Sequence, residues 1–138
     1  MPHFAKAALE RSLPAHWIAY LHMPELGGLR KPKRDSTNTG WRNVSFRGYA
    51  DYMQTDEFWK AIAELEELAA DRRVAVMCAE AVPWRCHRSL IADALVVRGD
   101  DVRHITGAQE PSPHRLTPFA QVDGRRITYP SPLTLPLK

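Results

Sequence analysis

Apolar positions along the chain follow two patterns, one with the spacing of helices and one of short consecutive runs, and together they predict alternating helices and strands. Phe4, Ala5, Ala8, Leu9 and Leu13 mark a helix over residues 3–13. Pro14 closes it, because the residue before a proline disfavours helical backbone. Trp17 to Met23 is rich in aromatic and branched residues and ends at Pro24, which predicts a strand. Residues 29–44 are polar, punctuated by glycine and without periodicity, and a loop of that length in a compact domain is either functional or disordered. Phe46 to Met53 carries three aromatics and begins the second helical region. Its continuation is capped by Thr55, led by Asp56 and Glu57, and striped by Phe58, Ile62, Leu65 and Ala69 as far as Ala70.

The run Val74 to Cys78 is apolar at four consecutive positions, as in a strand buried on both faces of a parallel sheet. A polar loop over 79–86 follows, then a helix from about His87 to Arg98 with Gly99 as terminator, then a third strand over Asp101 to Ile105. Strand, helix, strand, helix, strand implies right-handed crossovers, so the expected fold is α/β, a three-layer Rossmann-like parallel sheet with crossover helices. Beyond Ala108 the pattern becomes proline-rich coil. Pro118 to Val122 and Arg125 to Tyr129 flank Asp123-Gly124, the dipeptide of a type I′ turn, so residues 109–138 are expected to form a small C-terminal β-hairpin and an extended, proline-rich tail.

Composition narrows this picture. With 138 residues and 44% hydrophobic content the chain buries one core and forms a single domain. No apolar run approaches the roughly 20 residues that span a bilayer, and Met1-Pro2-His3-Phe4-Ala5-Lys6 lacks the apolar core of a secretory signal, so no membrane partner and a cytoplasmic address are expected. Cys78 and Cys86 do not form the framework of a small secreted protein, which favours reduced thiols. A formal net charge of +3 suits an anionic ligand, permits nucleic acid and does not indicate it. The one basic cluster, Arg30-Lys31-Pro32-Lys33-Arg34 with Arg42 and Arg47 downstream, reads as a solvated loop.

Chemistry concentrates after the run 74–78. In open α/β sheets ligands bind beyond the carboxyl ends of strands, where helix N-termini offer backbone N–H groups to anions. Cys86-His87-Arg88 opens such a helix, and a helix N-terminus with neighbouring cations favours thiolate. Cys78 and Cys86 are therefore candidate nucleophiles, His87 a candidate acid or base, and Glu80 a group to orient one of them. Arg88 and Ser89 at the helix start are candidate ligand-binding residues, joined by Gly27 and Gly28, whose turn leaves the first strand toward the same side. Phosphatase and rhodanese loops set an arginine about five residues after the cysteine, whereas Arg88 follows Cys78 by ten and Cys86 by two. Structural zinc sites pair ligands two to four residues apart, which Cys78 and Cys86 do not, so neither a metal nor a cofactor is expected. Cys78 equally suits a small apolar residue packed in a core, and His22 and His104 read as ordinary strand-end residues.

The run Met77-Cys78-Ala79-Glu80 through Pro83, Cys86-His87-Arg88 and Leu90-Ile91-Ala92-Asp93-Ala94-Leu95 resembles the signature of the domain of unknown function 488 family. The similarity extends to Pro2-His3-Phe4, Pro24-Glu25-Leu26-Gly27-Gly28, Tyr49-Ala50-Asp51-Tyr52-Met53, Leu116-Thr117-Pro118 and Thr128-Tyr129-Pro130. The resemblance implies an α/β fold and a set of site residues but no reaction. Members of that family also carry an N-terminal stretch with two strands that this chain lacks, so the expectation is a homo-oligomer that covers the open sheet edge or a start that lies upstream. The function expected is binding of a small anionic ligand, a nucleotide or phosphorylated compound, at the Cys/His/Arg loop, with or without a reaction on it. The rival is a non-catalytic module that binds nucleic acid or protein through the basic loop 30–47.

Overall fold

The computed structural model describes residues 6–28, 30–77 and 86–131. Among them four helices, α1 (Lys6–Ser12), α2 (Val44–Tyr52), α3 (Asp56–Ala69) and α4 (Arg88–Val97), precede two antiparallel strand pairs. The first joins β1 (Arg103–His104) to β2 (Ser112–Pro113), and the second joins β3 (Gln121–Asp123) to β4 (Arg126–Thr128). The chain thus mixes helix and sheet. No helix among the described residues is long and apolar enough to cross a membrane.

Local chemistry sets the helix bounds. The Asn43 side chain accepts from the N–H groups of Ser45 and Phe46, at 2.8 and 3.2 Å, and so starts α2 two residues before the sequence pattern does. Thr55 caps α3 as expected, accepting from the Phe58 N–H at 3.3 Å. Gly99 ends α4 at φ +91°, and its N–H reaches Val96 while that of Asp100 reaches Leu95, the two bonds of a Schellman cap.

The buried faces of α2, α3 and α4 meet the arm formed by β4 and Tyr129. Tyr49, Met53, Phe58, Ile62, Leu90, Ile127 and Tyr129 are the large apolar side chains buried most completely there. Each contributes about 1.5–3 kcal/mol relative to an exposed position. Helix α1 buries only Leu9 and stays outside this cluster.

The parallel sheet does not form among the described residues. Residues 17–23 and 74–77 enter no strand ladder, and Trp17, Ile18, Leu21, Val74, Val76 and Met77 are exposed. The expected strand 101–105 is reduced to Arg103 and His104, and it pairs antiparallel with a segment predicted to be coil. Branched composition favours a pleated surface, but a strand exists only where its N–H and C=O groups find a neighbour. The predicted hairpin is present with its turn displaced by one residue. Asp123 pairs with Arg126, which leaves Gly124 and Arg125 as the turn, and only Gly124, at φ +61°, is left-handed. That geometry is type II′ rather than type I′.

The long polar loop is held by two buried side chains. Asp51 accepts from the Lys33 N–H (2.8 Å), the Ser36 hydroxyl (2.6 Å) and the Asn38 amide (2.7 Å). Asn38, fully buried, then accepts from the Tyr129 N–H at 2.8 Å. Two arginines of the basic region are engaged in the same packing. Arg30 lies 3.7 Å above the Tyr52 ring and donates to the Gly27 carbonyl, and Arg47 donates to the Trp41 carbonyl.

Candidate functional site

Helix α4 presents its first residues to three different surroundings. Cys86, 5% exposed, turns inward, where its sulfur accepts from the Arg88 N–H at 3.5 Å and lies 3.6 Å from His87 Nδ1. The His87 ring leans on Tyr49 with centroids 4.9 Å apart. Burial, then the neighbouring Tyr52, pushes the Tyr49 phenol far above its ordinary pKa, so its hydroxyl stays a donor, and it gives its hydrogen to the Leu26 carbonyl at 2.8 Å. A Cβ on Gly28 would lie 3.0 Å from His87 Nδ1, so the glycine turn and the helix start are brought together as the sequence predicts.

The remaining site residues divide. Gly27 donates to the Pro24 carbonyl and accepts from Arg30, and the Ser89 hydroxyl donates to the Cys86 carbonyl at 3.1 Å, so both serve their own turns. Cys78 and Glu80 lie outside the described residues. Arg88 lines a cavity of about 600 Å³ between α3, α4 and the segments 74–76 and 100–105, which His87 and Cys86 do not line. The predicted single constellation is therefore two neighbouring places, a packed Cys86–His87–Gly28 corner and an open cavity beside Arg88.

Charged and apolar side chains both line that cavity. Glu66, Asp100 and Asp101 are its acidic residues; Arg98 meets Glu66 at 2.6 Å, and burial, then Glu66, raises the Asp100 carboxyl to about 6. Arg88, His104 and Arg103 line it too, with Arg103 paired to Asp101 at 3.1 Å. Leu65, Ile91, Leu95 and Val102 furnish apolar wall.

Behind His104 stands a cluster that periodicity and spacing do not find. Asp93 is completely buried, and its oxygens accept from His114 Nε2 (2.7 Å), the Thr117 N–H (3.1 Å), the Thr117 hydroxyl (2.7 Å) and the Tyr129 hydroxyl (2.8 Å). His114 Nδ1 lies 2.7 Å from His104 Nε2. The available signal was Asp93 itself, a carboxylate inside Leu90-Ile91-Ala92-Asp93-Ala94-Leu95, because a charge on an apolar helix face requires partners.

The burial of Cys86 is expected to slow the reaction of a thiol that its place at a helix start would favour. Cys86 is expected to alkylate with iodoacetamide at least about ten-fold more slowly in the native protein than in guanidinium, since opening a site held by about 1.4 kcal/mol already costs that factor. Mass spectrometry of the Cys86 peptide measures it, and equal rates in the two states would show a thiol open to solvent.

No curated protein and no solved structure matches this chain. A family model does match, over residues 1–95, a span that contains the α4 start and Asp93 and stops short of His104 and His114. The chain belongs to the family described as domain of unknown function DUF488.

Proposed function

We propose that the protein binds a small anionic ligand, a nucleotide or another phosphorylated compound, in the cavity beside Arg88. The observation that carries this reading is the position of Arg88, the arginine of the Cys86-His87-Arg88 triplet, on the cavity wall with His104. A guanidinium presents a planar fork of donors matched to phosphate or carboxylate oxygens. The apolar wall suits an uncharged body such as a base or an aryl group. Against the nucleic-acid reading, Arg30 and Arg47 are committed to the protein's own ring and carbonyl groups.

Calorimetric titration with AMP and with inorganic phosphate tests the proposal. Arg88→Met is expected to weaken binding at least ten-fold, since hydrogen bonds to a charged group contribute about 1.5–3 kcal/mol. Lys31→Ser with Arg34→Ser, on the exposed loop, is expected to leave affinity unchanged, and affinity should fall only shallowly with salt. Binding that survives Arg88→Met but is lost in the loop variant would reverse the assignment.

A further inference from the structure

The donors around Asp93 limit where protons sit in the buried cluster. The Tyr129 phenol, pushed far up by burial and then by the Asp93 charge, keeps its proton and donates. The Thr117 N–H can only donate. Asp93 thus meets donors at both oxygens, and His114 Nε2 reaches it as an N–H. In the tautomer we assign, with the proton of His114 at Nε2 alone, its Nδ1 lone pair accepts from Nε2–H of His104. The remaining nitrogen of His104, Nδ1, carries a lone pair and has no hydrogen-bond partner among the described residues, on a ring that lines the cavity with Arg88. Carboxylate, imidazole and imidazole follow one another at 2.7 Å each, from the buried interior to the cavity wall.

We propose that Asp93, His114 and His104 form a hydrogen-bonded relay, carrying the influence of the Asp93 carboxylate and no proton, that makes His104 Nδ1 the general base of the cavity, acting on a hydroxyl of a bound phosphorylated ligand or on a water beside it. This rests on the anion-binding reading of the cavity. In the step, the O–H bond breaks, its electron pair stays on oxygen, and the proton forms an N–H bond at His104 Nδ1. The new imidazolium keeps its Nε2–H bond to His114, and the Asp93 charge beyond stabilises it. Attack of that oxygen on the ligand's phosphorus forms one P–O bond as the ester P–O bond breaks, and the departing oxygen takes up the proton held at His104 Nδ1. His104 is the catalytic residue here, and His114 and Asp93 are positioning residues that set its tautomer.

The charges around His104 agree with that role. Burial, then His114, then Arg88 hold its pKa below the ordinary histidine value, while Asp93 opposes them. On its own strand, Arg103 is paired with Asp101. His104 is therefore a neutral base near neutral pH. An anion on Arg88 cancels one of the charges that disfavour imidazolium, so the base strengthens when the ligand is bound.

15N NMR on the full chain, labelled selectively at histidine and arginine, tests this, with phenyl phosphate as the probe. His104 and His114 are both expected as Nε2–H tautomers, with the His104 titration midpoint rising by on the order of 1 pH unit when phenyl phosphate is added. Diethyl pyrocarbonate should acylate His104, phenyl phosphate should block it, and His114→Gln, whose amide still reaches Asp93, should slow it several-fold. An Nδ1–H tautomer at His104, or a His104 inert to acylation, overturns the relay. A midpoint unmoved while the Arg88 Nε resonance shifts also overturns it, whereas an Arg88 resonance that never responds refutes the anion site instead.

Discussion

Gly48→Ala is expected to cost the protein its native fold, or at least about 3 kcal/mol of stability. Gly48 is buried in α2, and a Cβ there would fall on the Arg30 carbonyl oxygen, 2.6 Å from the Arg30 carbonyl carbon and 2.9 Å from that of Lys31. Those atoms are backbone and cannot rotate away as a side-chain tip would. Either α2 or the segment 30–31 must move, and the movement breaks the Lys33–Asp51 bond and lifts Arg30 from the Tyr52 ring. The helix gains about 1 kcal/mol from alanine. Overpacking in a well-filled interior typically costs about 1–3 kcal/mol even when side chains can adjust, and here they cannot. Against a total stability of about 5–15 kcal/mol the net loss is large. Thermal unfolding followed by circular dichroism should show a midpoint lowered by on the order of 10 °C. A midpoint within about 2 °C of the parent would mean that the loop does not lie against α2.

Asp93→Ala is expected to destabilise by about 3–5 kcal/mol, the cost of removing one partner from a buried, hydrogen-bonded charge. Four donors lose their acceptor at once, among them a backbone N–H that cannot turn elsewhere. Tyr129→Phe removes a single bond to that charge and should cost about 1.5–3 kcal/mol. Asp93→Asn belongs between them: its oxygen can still serve His114 and Thr117 N–H, while its amide faces two hydroxyls that can rotate to accept. Guanidinium denaturation of the three variants should give that order. Asp93→Ala costing no more than Tyr129→Phe would show that the cluster is open to water.

The helices were legible because their signals are local. Phe58, Ile62 and Leu65 recur at helical spacing, Thr55 and Gly99 cap their own helices, and each of these facts sits within one turn of the element it defines. The strands were not legible for the converse reason. Val74 and Val76 have strand-like side chains, but pairing depends on a neighbour whose place is set by the whole chain. The site divided along the same line. Gly28 and His87 were assigned to one place from the turn and the helix start, and they do meet. The contacts among Asp93, His114 and His104 join side chains 10 and 21 positions apart, and no window of periodicity contains such a contact.

The long-range bonds that tie the hairpin arm to the polar loop and to the end of α2 are expected to set the tempo of folding. Asn38 waits for Tyr129 across 91 positions, Gln54 for Ile127 across 73, and Thr39 for Ser131 across 92. The helices of this chain form from neighbours in about a microsecond or less, but each of these bonds requires a long loop to close first. The hairpin arm is therefore expected to dock last, leaving the Asn38 carbonyl oxygen without its Tyr129 partner until then. A helical chain closed in this way folds more slowly than a bundle built of the same helices with local contacts alone.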